Sequence, residues 1–276
     1  MNARRFFVSI FLPVILLETA SYGQHRSQSD SATNILARII DRAEQIAADT
    51  NSPKYEYEKR SRVEELNSRG EMIQSTEKAY RVVVIQGWPY SRLLKVQGQR
   101  LSDAEIRRED QKEQEFRNKV AGREIGKRRN KKELLVTPEL LERYDFTVVR
   151  GEPYRGRNAT VLEFKPKSNN PEENFQDKMY NRIAGKIWVD DEEAEISKLD
   201  AHLTEEVSLG WLGMLGSLKN CDLVMERQRM PDGVWVNAKH TLYIVARKLL
   251  STSRYRASEE SNNFRREPRS KEHALK

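Results

Sequence analysis

The segment from residue 185 to residue 250 alternates apolar and polar residues in short runs, each bounded by turn-forming residues. The alternating apolar positions are Ile187 and Val189; Leu199, Ala201 and Leu203; Leu223 and Met225; and Leu242, Ile244 and Ala246. Side chains two residues apart on a strand face the same side, so this pattern predicts strands with one buried face. Four such strands in succession predict an antiparallel meander. A chain built around it must cover one apolar sheet face.

An uncharged apolar segment interrupts this meander between its second and third strands. It covers residues 209–218 and contains three glycines. It is shorter than the roughly 20 residues that a membrane-spanning helix needs. Two interpretations remain open: a wide hairpin connection packed against the sheet, or a flap over a cavity that binds an apolar ligand. Under the flap hypothesis, the ligand contacts are Trp211, Leu212, Met214 and Leu215.

The N-terminus has the layout of a secretory signal peptide. Two arginines precede an apolar run of twelve residues, Phe6 to Leu17, which Pro13 interrupts. This run is too short for a spanning helix, and small residues before a cut after Gly23 suit cleavage there. Residues 1–23 are therefore the predicted signal peptide, with an uncleaved anchor as the alternative. No cysteine lies near the cut, so the sequence predicts a secreted protein that is not itself a lipoprotein.

Composition predicts one domain that is stable through its core. The single cysteine, Cys221, has no partner for an intramolecular disulfide. Lys and Arg number 49 against 42 Asp and Glu, so the charge is mixed rather than one-signed. No Pro/Gly/Ser linker divides the mature chain, which predicts a single domain over residues 24–258. Residues 259–276 are polar and without periodicity, which predicts a disordered tail.

Two segments predict helices that the sheet could cover. Residues 32–49 carry one wide apolar stripe, and residues 30–31 can cap the start of that helix. A second, short helix begins at Thr137-Pro138-Glu139, where threonine caps the helix and proline occupies its first turn. Further strand-like runs fill the first half of the chain. The predicted fold class is α+β and mainly antiparallel β: a curved antiparallel sheet wrapped over the N-terminal amphipathic helix and the second short helix.

Residues 102–133 form a strongly charged insert that predicts a helix. Ser102 or Asp103 can cap it, and the densest basic cluster of the chain spans residues 123–132. No aromatic residues interleave these basic residues, which disfavours nucleic acid as a partner. The basic cluster is either a solvated helical face or a site of transient contact with an anionic membrane surface or a membrane protein.

The sequence shows no constellation of catalytic or metal-ligating residues. His202 and His240 lie in strand patterns without metal-ligand spacing, and no Gly-x-Ser-x-Gly motif occurs. The acidic run from Asp190 to Glu195 lacks the spacing of a calcium loop and indicates a solvated hairpin turn. We therefore expect a protein that is not an enzyme, with no cofactor and no metal. A sheet curved over helices can instead leave an apolar slot for a ligand.

The chain resembles the superfamily of periplasmic lipoprotein carriers, which includes the outer-membrane lipoprotein-sorting protein LolA, its receptor LolB and the sensor RseB. The resemblance rests on the signal peptide and on five segments in the same order: residues 55–70, 80–84 and 137–146, Gly185-Lys186-Ile187-Trp188-Val189-Asp190, and Asp232-Gly233-Val234-Trp235-Val236 followed by Arg247. It implies a periplasmic protein of a Gram-negative-type bacterium. It also implies an open, incomplete β-barrel, closed by helices, that shields an acyl chain from water and performs no reaction.

The resemblance implies a carrier for the acyl chain of a lipid or lipoprotein, as in outer-membrane lipoprotein sorting. The alternative is a sensor or interaction domain of the same fold that binds a protein or peptide. Burying each methylene is worth about 0.8 kcal/mol, so an apolar slot can hold an acyl chain without any catalytic group. Besides the flap, the candidate wall of the cavity consists of Tyr80, Val82, Val84, Ile187 and Trp188.

Overall fold

The computed structural model describes residues 20–49, 54–121, 138–209, 216–248 and 251–267. Several predicted features lie outside these ranges: the signal peptide up to residue 19, the basic cluster at residues 123–132, and the flap residues Trp211, Leu212, Met214 and Leu215.

Within the described ranges the helices are α1 (Ala20–Ala48), α2 (Asp103–Val120), α3 (Pro138–Leu141) and α4 (Phe175–Tyr180). The strands are β1 (Tyr55–Leu66), β2 (Met72–Ile85), β3 (Trp88–Val96), β4 (Gln99–Arg100), β5 (Tyr144–Tyr154), β6 (Arg157–Pro166), β7 (Ile183–Asp190), β8 (Ile196–Leu203), β9 (Val207–Leu209), β10 (Gly216–Arg229), β11 (Trp235–Lys248) and β12 (Ser251–Arg266).

These strands form one sheet, in the order β4-β3-β2-β1-β12-β11-β10-β8-β7-β6-β5, with β9 added beside β10. Neighbouring strands are antiparallel, and the predicted meander is present as β7, β8, β10 and β11. The first and last strands, β1 and β12, pair in the middle of the sheet, whereas the end strands β4 and β5 do not pair with each other. The sheet is therefore open, and the predicted incomplete barrel is confirmed.

The strand register places one continuous row of apolar residues on the face that we call the inner face. From β5 to β1 the row contains Phe146, Phe164, Gly185, Ala201, Leu223, Leu242, Ala257 and Val63. Each member lies directly opposite the next, and strands are about 4.8 Å apart, so the row is roughly 34 Å long. We call this row the apolar band.

Helix α1 covers the inner face at β5 to β8. Four of its residues, spaced to lie on one face of the helix, pack in the main apolar core: Ala32, Ile35, Leu36 and Ile39. The sheet contributes Leu162, Ile187 and Ala201, among others, to the same core. The predicted packing of the sheet over the N-terminal helix is confirmed.

The start of α1 differs from the prediction. The helix begins at Ala20, so Asp30 and Ser31 lie inside it rather than at its cap. Serine and aspartate cost only a few tenths of a kcal/mol in a helix once neighbouring turns have formed, because extending a helix is much easier than starting one.

In the part of the chain that the structure describes, no helix is both long and apolar enough to cross a bilayer.

Helix α2 confirms the predicted helix in the charged insert. Ser102 caps it: the Ser102 hydroxyl accepts from the Glu105 backbone N–H, and the Glu105 carboxylate accepts from the Ser102 N–H at 2.8 Å. The helix packs on β3, where Arg92 pairs with Asp110 and Glu113 of α2.

Strand β12 corrects the predicted disordered tail. We predicted disorder over residues 259–276, but β12 continues to Arg266 and pairs with both β1 and β11. A strand with two neighbours satisfies its backbone hydrogen bonds along both edges, which does not require apolar side chains. Glu259 and Glu260 also form ion pairs with the neighbouring strands, at 3.4 Å to Lys59 and 3.0 Å to Lys239.

Replacing Glu260 with proline should therefore destabilise the protein, whereas replacing it with alanine should not. Proline removes a backbone donor from a strand that is paired on both sides, which we expect to cost about 2 kcal/mol or more. Alanine removes only an exposed ion pair, worth about 0–1 kcal/mol. The midpoint of urea unfolding measures both effects. Equal midpoints for the two variants would contradict the central position of β12.

Candidate functional site

An apolar cavity of about 230 Å³ lies on the inner face. Leu140 and Leu141 of α3 and Tyr180 of α4 close one side of it. Six strands supply the remaining wall: Tyr144, Phe146, Phe164, Ile183, Ile187, Leu199, Ala201, His202, Cys221, Leu223 and Leu242. Among the described residues, no Asp, Glu, Lys or Arg lines this cavity. The side chains that line the cavity therefore suit the binding of an apolar group.

Three aromatic rings form one end of the cavity. Tyr144 lies 5.3 Å from Phe164 and 6.3 Å from Phe146 between ring centroids. The Tyr144 hydroxyl donates to the backbone carbonyl of Tyr180 at 2.8 Å. Burial raises the pKa of Tyr144 to about 12. Tyr144 is therefore neutral and hydrogen-bonded at physiological pH, and it adds no charge to the wall.

Small residues form the floor of the cavity. Ala201 lines it, and Gly185 lies directly opposite Ala201 on the neighbouring strand. A Cβ atom on Gly185 would lie 2.1 Å from the backbone oxygen of Asp200, so no larger residue fits unless β8 moves. Larger side chains stand on both sides of this floor, at Phe164 and Leu223. The dip in side-chain size along the apolar band is what leaves space there.

Beyond the cavity, the residues that the structure describes leave the inner face open. Along the apolar band, Leu223, Leu242 and Ala257 are half-buried, and Val63 is 43 % exposed. Tyr255 of β12, on the same face, is 38 % exposed. The long helices that the structure describes pack elsewhere, α1 on β5 and α2 on β3. The apolar surface therefore continues from the cavity onto uncovered strands.

Polar side chains begin in the row next to the apolar band. Along that row, Leu199 and Met225 are followed by His240, Glu259 and Ser61 on the successive strands. Burial lowers the pKa of His240 although Glu259 opposes that shift, so the ring is neutral at physiological pH. This second row thus changes from apolar to polar between β10 and β12, whereas the apolar band beside it stays apolar.

The two predicted wall residues on β7 lie on opposite faces of the sheet. Ile187 lines the cavity, whereas Trp188 is buried on the outer face with Ala159 and Val161. The side chains of adjacent strand residues point to opposite faces, and Trp188 does not line the cavity. The prediction of Trp188 as a wall residue is corrected. Its indole N–H is bonded to the carboxylate of Glu152 on the outer face.

The three predicted wall residues on β2 lie far from the cavity. Tyr80, Val82 and Val84 follow the alternation that we predicted, and Val82 is buried. However, β12 and β1 separate β2 from β11, the nearest strand that lines the cavity. Alternation identifies a face of a strand but does not reveal the place of that strand in the sheet.

Helix α4, which contributes Tyr180 to the wall, is not predicted from the sequence. Asn174 caps this helix by accepting from the Asp177 backbone N–H at 3.0 Å. Arg143, just after α3, pairs with the Asp177 carboxylate and so ties α4 to α3. The signal was present in the sequence: an asparagine cap with an acidic residue three positions later.

The acidic turn between β7 and β8 is solvated only in part: Asp191 and Glu192 are exposed as expected, but Asp190 and Glu195 at its two ends are buried. Asp190 is 1 % exposed and accepts from the Arg157 guanidinium, with a 2.9 Å contact from Nη2 to Oδ1. Burial alone would raise the pKa of Asp190, but the hydrogen bonds from Arg157 and from the Glu193 backbone N–H lower it overall.

Among the described residues, no group of three or more His, Cys, Asp or Glu could hold a metal ion.

The same turn anchors α1 over the cavity region. Glu195, 6 % exposed, accepts from Arg42 of α1 at 3.3 Å and from Arg227 of β10 at 2.7 Å. Arg38 of α1 donates to the backbone carbonyl of Asp191 at 2.7 Å. The acidic run therefore holds the helix that covers one half of the inner face.

Replacing Glu195 with glutamine should destabilise the protein by roughly 2 kcal/mol, because two arginines then lose a buried charged partner. Glu192 provides a matched control, since its carboxylate belongs to the same turn but its side chain is 80 % exposed. Glu192→Gln should change the free energy of unfolding by less than about 0.5 kcal/mol. Urea unfolding followed by circular dichroism measures both. A loss of the same size in both variants would show that Glu195 is not the anchor of α1.

No protein-family model matches this chain, and no curated protein matches it. Solved structures do match it over most of its length. A putative outer membrane lipoprotein-sorting protein domain from Vibrio parahaemolyticus is 12 % identical with a TM-score of 0.35, and the match covers 87 % of this chain and 95 % of that one.

Two further solved structures also match. A LolA-superfamily protein from Nitrosomonas europaea is 11 % identical with a TM-score of 0.27, over 87 % of this chain and 97 % of that one. The MucA/MucB complex of Pseudomonas aeruginosa gives 12 % identity and a TM-score of 0.25, over 86 % and 99 %. A protein of the predicted superfamily is therefore among the solved structures to which this chain is similar. Since every TM-score is below 0.5, the ligand is inferred below only from the geometry of this chain.

Proposed function

We propose that the protein is a non-enzymatic periplasmic carrier that shields the acyl chain of a lipid or lipoprotein. The observation that supports this most directly is the uncharged cavity on the inner face, which opens onto the apolar band. Pockets that enclose a drug-sized ligand have roughly 300–1,000 Å³. A cavity of about 230 Å³ would enclose only part of an acyl chain. The remainder would lie along the adjoining open part of the inner face.

The dimensions of the sheet allow this arrangement. The hydrocarbon core of a bilayer is about 30 Å thick and contains two layers of acyl chains, so one chain as it lies in a bilayer spans about 15 Å. The part of the apolar band between Phe146 and Leu242 spans five strand intervals, or about 24 Å. One acyl chain fits across these strands without reaching either edge of the sheet.

The energetics suit a carrier that must release its cargo. Ten buried methylenes would contribute about 8 kcal/mol, which alone corresponds to a dissociation constant near 1 μM. Association costs several kcal/mol, so the net affinity is weaker. The wall adds no charge that would hold a head group, since Tyr144 is neutral and burial raises the pKa of the Cys221 thiol. Binding through methylenes alone is reversible.

The predicted flap remains part of this proposal. Its residues, Trp211, Leu212, Met214 and Leu215, belong to the connection between β9 and β10. Strand β10 continues from that connection to Cys221 and Leu223, which line the cavity. Contact of the basic cluster at residues 123–132 with a membrane surface also remains a prediction.

An interaction domain that binds a peptide is the second candidate. The observation that favours it is the open half of the inner face, where Val63 and Tyr255 are exposed. Tyrosine is enriched at the energetic centres of protein interfaces. An enclosed cavity is the better support for an acyl chain, and an open face is the better support for a peptide.

Aspartate at Leu223 should abolish acyl-chain binding, because it introduces a carboxylate into the cavity wall. Val224 provides the control: it is the next residue of β10, also half-buried, but it faces the outer side of the sheet. The mature chain, Gln24 to Lys276, would be purified from the periplasm without detergent and measured by native mass spectrometry. Bound lipid should be present with wild type and Val224→Asp, and lost with Leu223→Asp.

Displacement of the apolar dye N-phenyl-1-naphthylamine by added lipid would give the affinities, and thermal unfolding would check that both variants are folded. We expect at least a tenfold weaker affinity for Leu223→Asp only. A wild-type protein that carries no lipid and takes up none would reject the carrier proposal in favour of the peptide-binding candidate. Unchanged binding by folded Leu223→Asp would place the lipid elsewhere.

A further inference from the structure

His240 lies at the edge of the cavity. The lining residue Leu242 and His240 are two positions apart on β11, so both face inward, with about 6.8 Å between them along the strand. On β10, the residue opposite His240 is the buried, apolar Met225. The ring is therefore the first polar side chain in the row that begins with Leu199 and Met225.

The His240 ring has an unused hydrogen-bonding atom. Its Nε2 atom is buried, and it makes no hydrogen bond within the part of the chain that the structure describes. Buried polar atoms without a partner are uncommon and lower the stability of the folded state. A neutral imidazole can use Nε2 either as a donor or as an acceptor. A ligand that supplies the missing hydrogen bond would remove the cost of this unpaired atom.

The charges around His240 disfavour a charged head group. Glu259 lies directly opposite it on β12, and Lys59 of β1 forms an ion pair with that carboxylate at 3.4 Å. The lysine also lies 5.2 Å from the centroid of the Tyr80 ring. The next inner-face lysine in the row, Lys78, is two strands beyond Glu259, or about 9.6 Å. A charged ligand group at His240 would lose its hydration. The charged side chains of Glu259 and Lys59 already pair with each other and could not compensate for that loss.

We propose that His240 is a polar subsite that hydrogen-bonds an uncharged polar group, such as a hydroxyl, ester or amide, of an amphiphile whose chain lies in the cavity. This subsite rests on the proposed carrier function, and it assigns an orientation to the ligand. The chain points from Leu242 towards the aromatic end at Phe146, and the polar group lies on the β11 and β12 side. Glu259, 42 % exposed at its side chain, lies on the solvent side of the polar group.

Two probes with the same chain test this assignment on the mature protein. 1-Lauroylglycerol is uncharged, whereas laurate is anionic, and their affinities can be measured by displacement of N-phenyl-1-naphthylamine. The variant His240→Leu removes the ring nitrogens, His240→Gln retains a donor and an acceptor, and Thr241→Leu is an outer-face control on the same strand. We expect His240→Leu to weaken 1-lauroylglycerol about 3- to 10-fold, as for one hydrogen bond, and to leave laurate unchanged.

We expect His240→Gln to restore part of the affinity for 1-lauroylglycerol, and Thr241→Leu to behave as wild type. The melting temperature of His240→Leu should not fall, because an apolar side chain replaces an unpaired buried polar atom. Equal binding of 1-lauroylglycerol by wild type and His240→Leu would overturn the subsite and leave the carrier proposal standing. A larger loss for laurate would overturn the uncharged assignment. Failure of wild type to bind either probe would overturn the carrier proposal itself.

Discussion

Cross-strand register is the constraint on which the cavity depends. A shift of one residue between two strands would move the apolar set of one strand to the outer face. Close backbone contact enforces the register at the floor, because the space beside Gly185 is filled by the backbone of β8 at Asp200. The pairing of β12 with both β1 and β11 extends that register across the middle of the sheet. The apolar band is a consequence of eight strands held in register.

Coverage of the inner face by α1 is incomplete, and the limits of that coverage define the site. The helix is held at the β7–β8 turn by the ion pair between Arg42 and Glu195 and by the hydrogen bond from Arg38 to the carbonyl of Asp191. Its apolar stripe packs with the core of β5 to β8. Beyond this core the sheet continues through β10, β11 and β12. The cavity lies at this transition from covered to uncovered sheet.

Much of the fold could be predicted from the sequence, because period-2 alternation and helix caps are local signals. These signals identified the meander, the inner-facing side of Ile187 and the short helix at Pro138. They could not place β2 in the sheet, so Tyr80 and Val82 were assigned to a wall that they do not form. Residues 259–266 lack an apolar pattern because β12 is held by its two neighbours, which no local signal reveals. The buried role of Glu195 depends on arginines distant in sequence, Arg42 and Arg227.

The open inner face exposes apolar surface to solvent, and the same opening gives an acyl chain a way in. Contiguous exposed apolar surface is uncommon on soluble proteins and usually marks a binding site. A closed barrel would hide Leu242, Ala257 and Val63 but would offer a chain no entry without breaking strand pairs. An open sheet leaves the entry free at β11 to β1, and the polar residues that begin at His240 limit how far the apolar surface extends. Along strand β11 the inner face therefore changes from the apolar Leu242 to the polar His240. This arrangement suits a ligand that is itself apolar at one end and polar at the other.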